Sequence, residues 1–216
     1  MQNWIVVAVD GEAASGKGTI SKRLAEQLNL RYLDTGKLYR TLAYYLNKHG
    51  GQALHEDERK SFFDYLDHSR PSDNELQSDF ISMQSSKIGG EKWARAMLIE
   101  YQRSFAIDTV DGYEGSVLDG RDIGSVICPD AEIKIFVTAR IQIRAERRLR
   151  QLLENGEKAQ YDRVLENLIK RDKSDKNREH SPLIVPDDAF VIDTSQIKIQ
   201  DAVSAAVAHV NTQRYG

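Results

Sequence analysis

The sequence predicts an α/β domain built on a five-stranded parallel sheet with helices on both faces. Short apolar, β-branched runs alternate with longer segments of helical periodicity. Each run ends near a glycine, a carboxylate or a hydroxyl, at the strand ends where doubly wound sheets hold ligands. The first run is also followed by a glycine-rich loop that opens a helix.

Strands are expected at 4–9, 31–33, 116–118, 133–138 and 189–192, and helices at 17–28, 37–48, 56–67, 91–107, 142–154, 161–173 and 199–212. Between 49 and 90 the alternation stops. That stretch holds the turn signal Arg70-Pro71-Ser72-Asp73-Asn74 and no strand pattern, so it reads as a mostly helical insertion. There is no internal repeat and no low-complexity tract.

With 216 residues and 40% hydrophobic composition, positions 1–216 can bury one real core as a single domain. The formal net charge of −3 demands neither nucleic acid nor a membrane surface as partner, so any anion must be held locally. A single cysteine, Cys128, excludes an internal disulfide framework and a multi-cysteine metal site, and fits a reducing compartment. The five histidines, His49, His55, His68, His180 and His209, show no metal-ligand spacing. Met1 to Trp4 followed by a short apolar stretch gives no signal-peptide pattern, and no run approaches the roughly 20 apolar residues of a membrane span. A cytoplasmic monomer is the expectation.

The loop GEAASGKGT comprises Gly11, Glu12, Ala13, Ala14, Ser15, Gly16, Lys17, Gly18 and Thr19. Small residues let consecutive backbone N–H groups curl around phosphate oxygens, the helix N-terminus adds partial positive charge, and Lys17 can span the outer phosphates. This predicts a site for the triphosphate of ATP. Gly18 stands where a serine or threonine hydroxyl usually ligates magnesium, and Thr19 follows one place later. Direct hydroxyl ligation of the metal is therefore left open.

After the second strand, DTGKLYR places Thr35, Tyr39 and Arg40 at a strand-to-helix turn, where the arginine can fork onto a second phosphate. Read alone, Tyr39 could equally be core and Arg40 a solvated helix residue. After the third strand, VLDGRDIGSVICPDA crowds Asp119, Arg121 and Asp122 between glycines. Asp119 is placed to hold hydrated magnesium, the metal that accompanies ATP, while Arg121 and Asp122 can face a ligand.

At this point the sequence resembles the bacterial cytidylate kinase family. The matching pieces are GEAASGKGT, YLDTGKLYR, LDGRDIGSVICPDAEIKIF and KRDKSDKNREHSPLIVPDDAFVIDTS, spread over nearly the whole chain. The resemblance implies a P-loop nucleoside monophosphate kinase fold, with ATP as phosphoryl donor and CMP or dCMP as acceptor. It would place Thr35, Tyr39, Arg40 and Arg121 around the acceptor phosphate and Arg171 and Asp175 near the ribose. Ser86, Arg95, Asp122 and Arg178 would face cytosine, and Lys17, Arg121 and Asp122 would serve catalysis. Two departures stand out. Glu12 replaces the family's usual proline, at what reads as an exposed turn. The stretch between His68 and Phe80 is shorter than the region that forms a small antiparallel sheet in typical members.

The helix from 142 carries Arg144, Arg147 and Arg148 within one turn. In isolation it is a solvated amphipathic face. Beside a triphosphate site it becomes part of a lid over 140–178, closing on the donor and supplying cationic stabilisation, opposite an acceptor subdomain near 35–107. Which of the three arginines meets phosphate is open. A kinase of the same loop class acting on AMP, UMP, shikimate or gluconate would lack these acceptor motifs, and the Asn-Lys-x-Asp guanine motif of a GTPase switch is absent.

Overall fold

A computed structural model describes residues 4–51, 53–68 and 71–215. The first residue of the turn signal at 70–74, Arg70, lies outside the described residues. The strands are β1 (Ile5–Gly11), β2 (Arg31–Asp34), β3 (Gly115–Gly120), β4 (Ile133–Thr138) and β5 (Phe190–Asp193). They form one parallel sheet in the order β2-β3-β1-β4-β5. Every residue of β1 and of β3 is buried, as expected of central strands covered on both faces.

Period-two alternation divides β1 between two cores. Ile5, Val7 and Val9 pack with Ile20 and Leu24 of α1 (Lys17–Gln27) and with Val203 and Val210 of α9 (Ile199–Tyr215). Val6 and Ala8 face the other way, against Leu118, Ile123 and Ala106, the last on α6 (Lys92–Ile107). Trp4 precedes the strand and donates its indole N–H to the Ala106 carbonyl at 2.8 Å.

Between β2 and β3 the described chain is helical, as the break in alternation predicts. It contains α2 (Thr35–His49), α3 (Glu56–His68), α4 (Asp73–Leu76), α5 (Asp79–Ile88) and α6. The short helices α4 and α5 went unread in the sequence. Ser72 and Glu75 close a capping box on α4, so a residue of the expected turn starts a helix, and the Ser78 hydroxyl caps α5. Leu38, Leu42, Phe62, Leu66 and Leu98 give this insertion its own core.

The helices α7 (Ile141–Glu154) and α8 (Tyr161–Asn177) form a hairpin whose core, Ala145, Leu152, Val164 and Leu168, packs onto Ala13 of the loop after β1. The last helix of this pair runs four residues past its expected end at 173, to Asn177. Asp175 is therefore helical and Arg178 is the C-cap. Among the described residues, no helix is long and apolar enough to cross a membrane.

A π-helical turn at Ile123–Ile127 follows β3, defined by bonds from the Ile127 and Cys128 N–H groups to the carbonyls five residues back, Asp122 and Ile123. Its first two N–H groups, on Ile123 and Gly124, donate to the buried Asp10 carboxyl at 2.8 Å each. Burial pushes that carboxyl up to about 7 from an ordinary 3.8, against the pull of these two bonds. The folded group thus takes up a proton that the unfolded one releases. Its stabilisation is full at low pH and is lost as pH rises from the unfolded value to about 7. Relative to Asp10→Asn, the wild-type unfolding free energy should fall by about 2 kcal/mol between roughly pH 5 and pH 7 in urea denaturation. Parallel curves for the two proteins would contradict this titration.

Candidate active site

The loop that joins β1 to α1 is shaped by two glycines. A Cβ on Gly11 (φ 154°) would lie 2.0 Å from the Val137 carbonyl oxygen, so only glycine lets the loop leave the sheet here. Gly16 takes φ 93° at the N-cap of α1. Ala13, Ala14, Lys17, Gly18 and Thr19 border a cavity of about 570 Å³, whereas Gly11, Glu12, Ser15 and Gly16 do not line it. Glu12 is not at an exposed turn. It is only 7% exposed, lies 3.4 Å from the Lys176 ammonium of α8, and leaves Oε2 without a hydrogen bond.

Parallel pairing brings the ends of β2 and β3 level, so Asp34 sits opposite Asp119. Lys17 Nζ lies 3.7 Å from Asp119 Oδ1. Burial, then the neighbouring Arg121, brings the Lys17 ammonium down to about 8. Burial likewise raises the Asp119 carboxyl, with Lys17 opposing. For Asp34 burial is outweighed by Arg40 and Lys17, which hold it below the usual carboxylate range. Asp34 also caps α2 through the Lys37 N–H at 2.9 Å and pairs with Arg40 Nη2 at 2.7 Å. The Thr35 hydroxyl donates to the Asp119 carbonyl at 2.7 Å.

Asp175 gathers the next group. It accepts from Arg121 Nε at 2.9 Å and the Ser86 hydroxyl at 3.0 Å, and Arg171 Nε lies 4.0 Å away. The four-residue step from Arg171 to Asp175 puts both on one face of α8. Burial, then Arg121, brings Arg171 down to about 10, and its buried Nε has no hydrogen-bond partner.

A tighter cavity of about 60 Å³ lies beside the first. All ten residues expected around the acceptor line it: Thr35, Tyr39, Arg40, Ser86, Arg95, Arg121, Asp122, Arg171, Asp175 and Arg178. At its far end Arg95 Nη2 bonds Asp122 Oδ2, and Arg178 Nη2 lies 3.7 Å from Oδ1. Both arginines also donate to the Gly89 carbonyl, at 3.3 Å each. Tyr39 joins through its hydroxyl, 3.4 Å from Arg95 Nη1. The two cavities share Lys17, Arg40, Arg121 and Arg171.

The three arginines of α7 part company. Arg144 is buried and binds Asp172 of α8 through Nη1 and Nη2 at 3.0 and 2.7 Å, bracing the hairpin. Arg147 donates to the Ser15 carbonyl at 3.2 Å and to Thr194 at 2.8 and 2.7 Å, clasping the loop from outside. Arg148 alone of the three lines the larger cavity, steadied by the Gln77 carbonyl at 3.0 Å and the Ser82 hydroxyl at 3.2 Å.

Sequence reading passed over Tyr32, Asp34, Asp172 and Thr194. Asp34 stood inside the DTGKLYR stretch, and its place at a strand end was a signal. The partners of Asp172 and Thr194 are 28 and 179 residues away, so no local pattern marks them.

Residues 7–212 match the family model described as cytidylate kinase. A cytidylate kinase of Rhodospirillum rubrum is 42% identical over 203 residues, covering 94% of this chain and 95% of the relative. One of Rhodopseudomonas palustris is 42% identical over 212 residues, 98% of each chain. Among solved structures, an uncharacterised protein of Eubacterium ventriosum aligns with TM-score 0.54 at 15% identity, covering 96% of this chain and 99% of its own; this likeness concerns the fold alone. With a model match over nearly its whole length and relatives of this identity and coverage, the chain belongs to the cytidylate kinase family.

Proposed function

We propose that this chain transfers the γ-phosphoryl group of ATP directly to CMP or dCMP. One observation carries the reading: the larger cavity beside the phosphate loop and the smaller one ending at Asp122 meet at Lys17, Arg40, Arg121 and Arg171. A donor triphosphate along the loop and an acceptor phosphate in the smaller cavity would face each other across that cationic junction.

An oxygen of the acceptor phosphate bonds to the γ-phosphorus as the bond from that phosphorus to the ADP oxygen breaks, with the two oxygens in line. The phosphate is already largely ionised at neutral pH, so no general base is required. The protein contributes position and charge: Lys17, Arg121 and Arg171 face the oxygens over which charge spreads, and Arg40 holds the acceptor phosphate. Arg171 is better matched to the phosphates than to the ribose edge alone, since it borders both cavities and keeps a buried donor free. The α7–α8 hairpin, within 140–178, serves as the lid with Arg148 as its phosphate-facing cation, and the acceptor subdomain near 35–107 is the all-helical insertion.

Magnesium fits the carboxylate end of this site. Asp119 and Asp34 stand level, burial holds the Asp119 carboxyl above its usual range so that an added cation would favour its ionised form, and one or two carboxylates beside phosphates and water are a usual donor set for this metal. When bound it would neutralise phosphate oxygens and orient them. Asp119 would hold it through water.

At the far end, the Asp122 carboxylate accepts the cytosine amino group while Arg95 and Arg178 donate to the ring acceptors. Ser86 acts on the ribose side through Asp175. A near-neutral charge balance and a half-buried Cys128 whose thiol burial pushes up to about 11 support a cytoplasmic protein with no reactive thiol.

Lys17→Ala should cut kcat by about 100- to 1,000-fold, the loss of one preorganised donor, with an unchanged circular dichroism spectrum. Turnover near wild type would remove Lys17 from the reaction. In a panel of CMP, dCMP, UMP and AMP, the wild type should favour the cytidine nucleotides. Asp122→Asn should narrow the CMP over UMP ratio in kcat/KM chiefly by losing CMP activity, because uracil presents an acceptor where cytosine presents a donor. An unchanged ratio with lower overall activity would assign Asp122 to positioning.

A further inference from the structure

The loop lacks the hydroxyl that commonly follows its lysine, and the structure holds another hydroxyl close to where it would stand. A Cβ built on Gly18 would lie 3.5 Å from Asp119 Oδ2 and 3.7 Å from the Tyr32 hydroxyl, both ordinary contact distances. Tyr32 donates that hydroxyl to the same Oδ2 at 2.5 Å. The other oxygen, Oδ1, faces Lys17 at 3.7 Å.

Tyr32 is built to keep this place. It is the second residue of β2, paired in register with Val117 two steps before Asp34 meets Asp119. Its ring packs against the core formed by β1, α1 and α9, and the residue also borders the larger cavity.

We infer that Tyr32 is a positioning residue that supplies, from β2, the hydroxyl missing after Lys17: it fixes one oxygen of Asp119 and leaves the other turned toward Lys17 and the hydrated magnesium that accompanies ATP. A serine at position 18 and the phenol at position 32 would compete for one carboxylate oxygen, so the glycine and the tyrosine form one arrangement. The inference rests on the proposed transfer from ATP, but its test reads metal binding and stands apart from turnover of CMP.

The probe is Mn2+ titrated into the ADP complex and followed by electron paramagnetic resonance, with ADP affinity measured separately in EDTA. Tyr32→Phe should weaken Mn2+ binding by about tenfold, the usual effect of removing a partner that orients a metal-facing group, while metal-free ADP affinity changes by less than about twofold. Adding Gly18→Ser to Tyr32→Phe should bring Mn2+ affinity back to within about threefold of wild type, since the new hydroxyl reaches the same oxygen. Unchanged Mn2+ affinity in Tyr32→Phe, an equal loss of metal-free ADP binding, or no rescue by serine would overturn the inference. Should Tyr32→Phe fail to fold, Gly18→Ser alone decides: the inference expects Mn2+ affinity within about threefold of wild type, and a gain of about tenfold would overturn it, because the hydroxyl's role would then have been unfilled. Wild-type turnover of CMP, assayed in parallel, tests the substrate reading by itself.

Discussion

The parallel register of β1, β2 and β3 is the constraint on which the site depends. It sets Asp34 level with Asp119, and Asp10 level with Gly120, while pairing with β4 sets Gly11 against Val137. Side chains alternate along a strand, so a slip of one residue would turn Asp119 away from Lys17 and bury it in the core around Leu118. Continuous burial of β1 and β3 makes such a slip costly, and the hydrophobic core thereby aims the polar ends.

Onto that frame the chain loads more positive charge than it neutralises. Asp34, Asp119 and Asp175 meet Lys17, Arg40, Arg121 and Arg171, with Arg148 across the larger cavity. Buried charges are tolerated when paired, and most of these are. Arg171 is paired least closely, 4.0 Å from Asp175, with a buried Nε that, like that of Arg40, has no hydrogen bond and a guanidinium brought down to about 10 by burial and then by Arg121. A phosphate bound between the cavities would relieve both strains together, which couples ligand binding to the stability of the site. The Arg95 and Asp122 pair has the opposite character: its charges satisfy one another in this structure, so any ligand bonding to either would have to exchange that bond for its own.

Strand positions and the phosphate loop were legible in the sequence because their signals are local: apolar runs, two glycines of fixed role and a lysine at the helix start. The ten residues expected around the acceptor were reached by resemblance, and all ten line one cavity. What escaped was decided by distant partners. Nothing near Tyr32 announces that Asp119 lies 87 positions on and within 2.5 Å. Glu12 looked like a surface turn residue because Lys176 of α8, which faces it, comes 164 positions later. The helices α4 and α5 hid behind Ser72 and Ser78, residues that suit turns and helix caps equally. The π-helical turn needed Asp10, more than a hundred residues away, to take up its first two N–H groups.

We propose one direct transfer between phosphates held in the adjoining cavities. It is tested most directly by the stereochemical course at phosphorus. With ATP made chiral at its γ-phosphorus and CMP as acceptor, one in-line displacement predicts inversion of configuration in the CDP formed. Retention would mean two displacements through a phosphorylated enzyme, and would contradict the account.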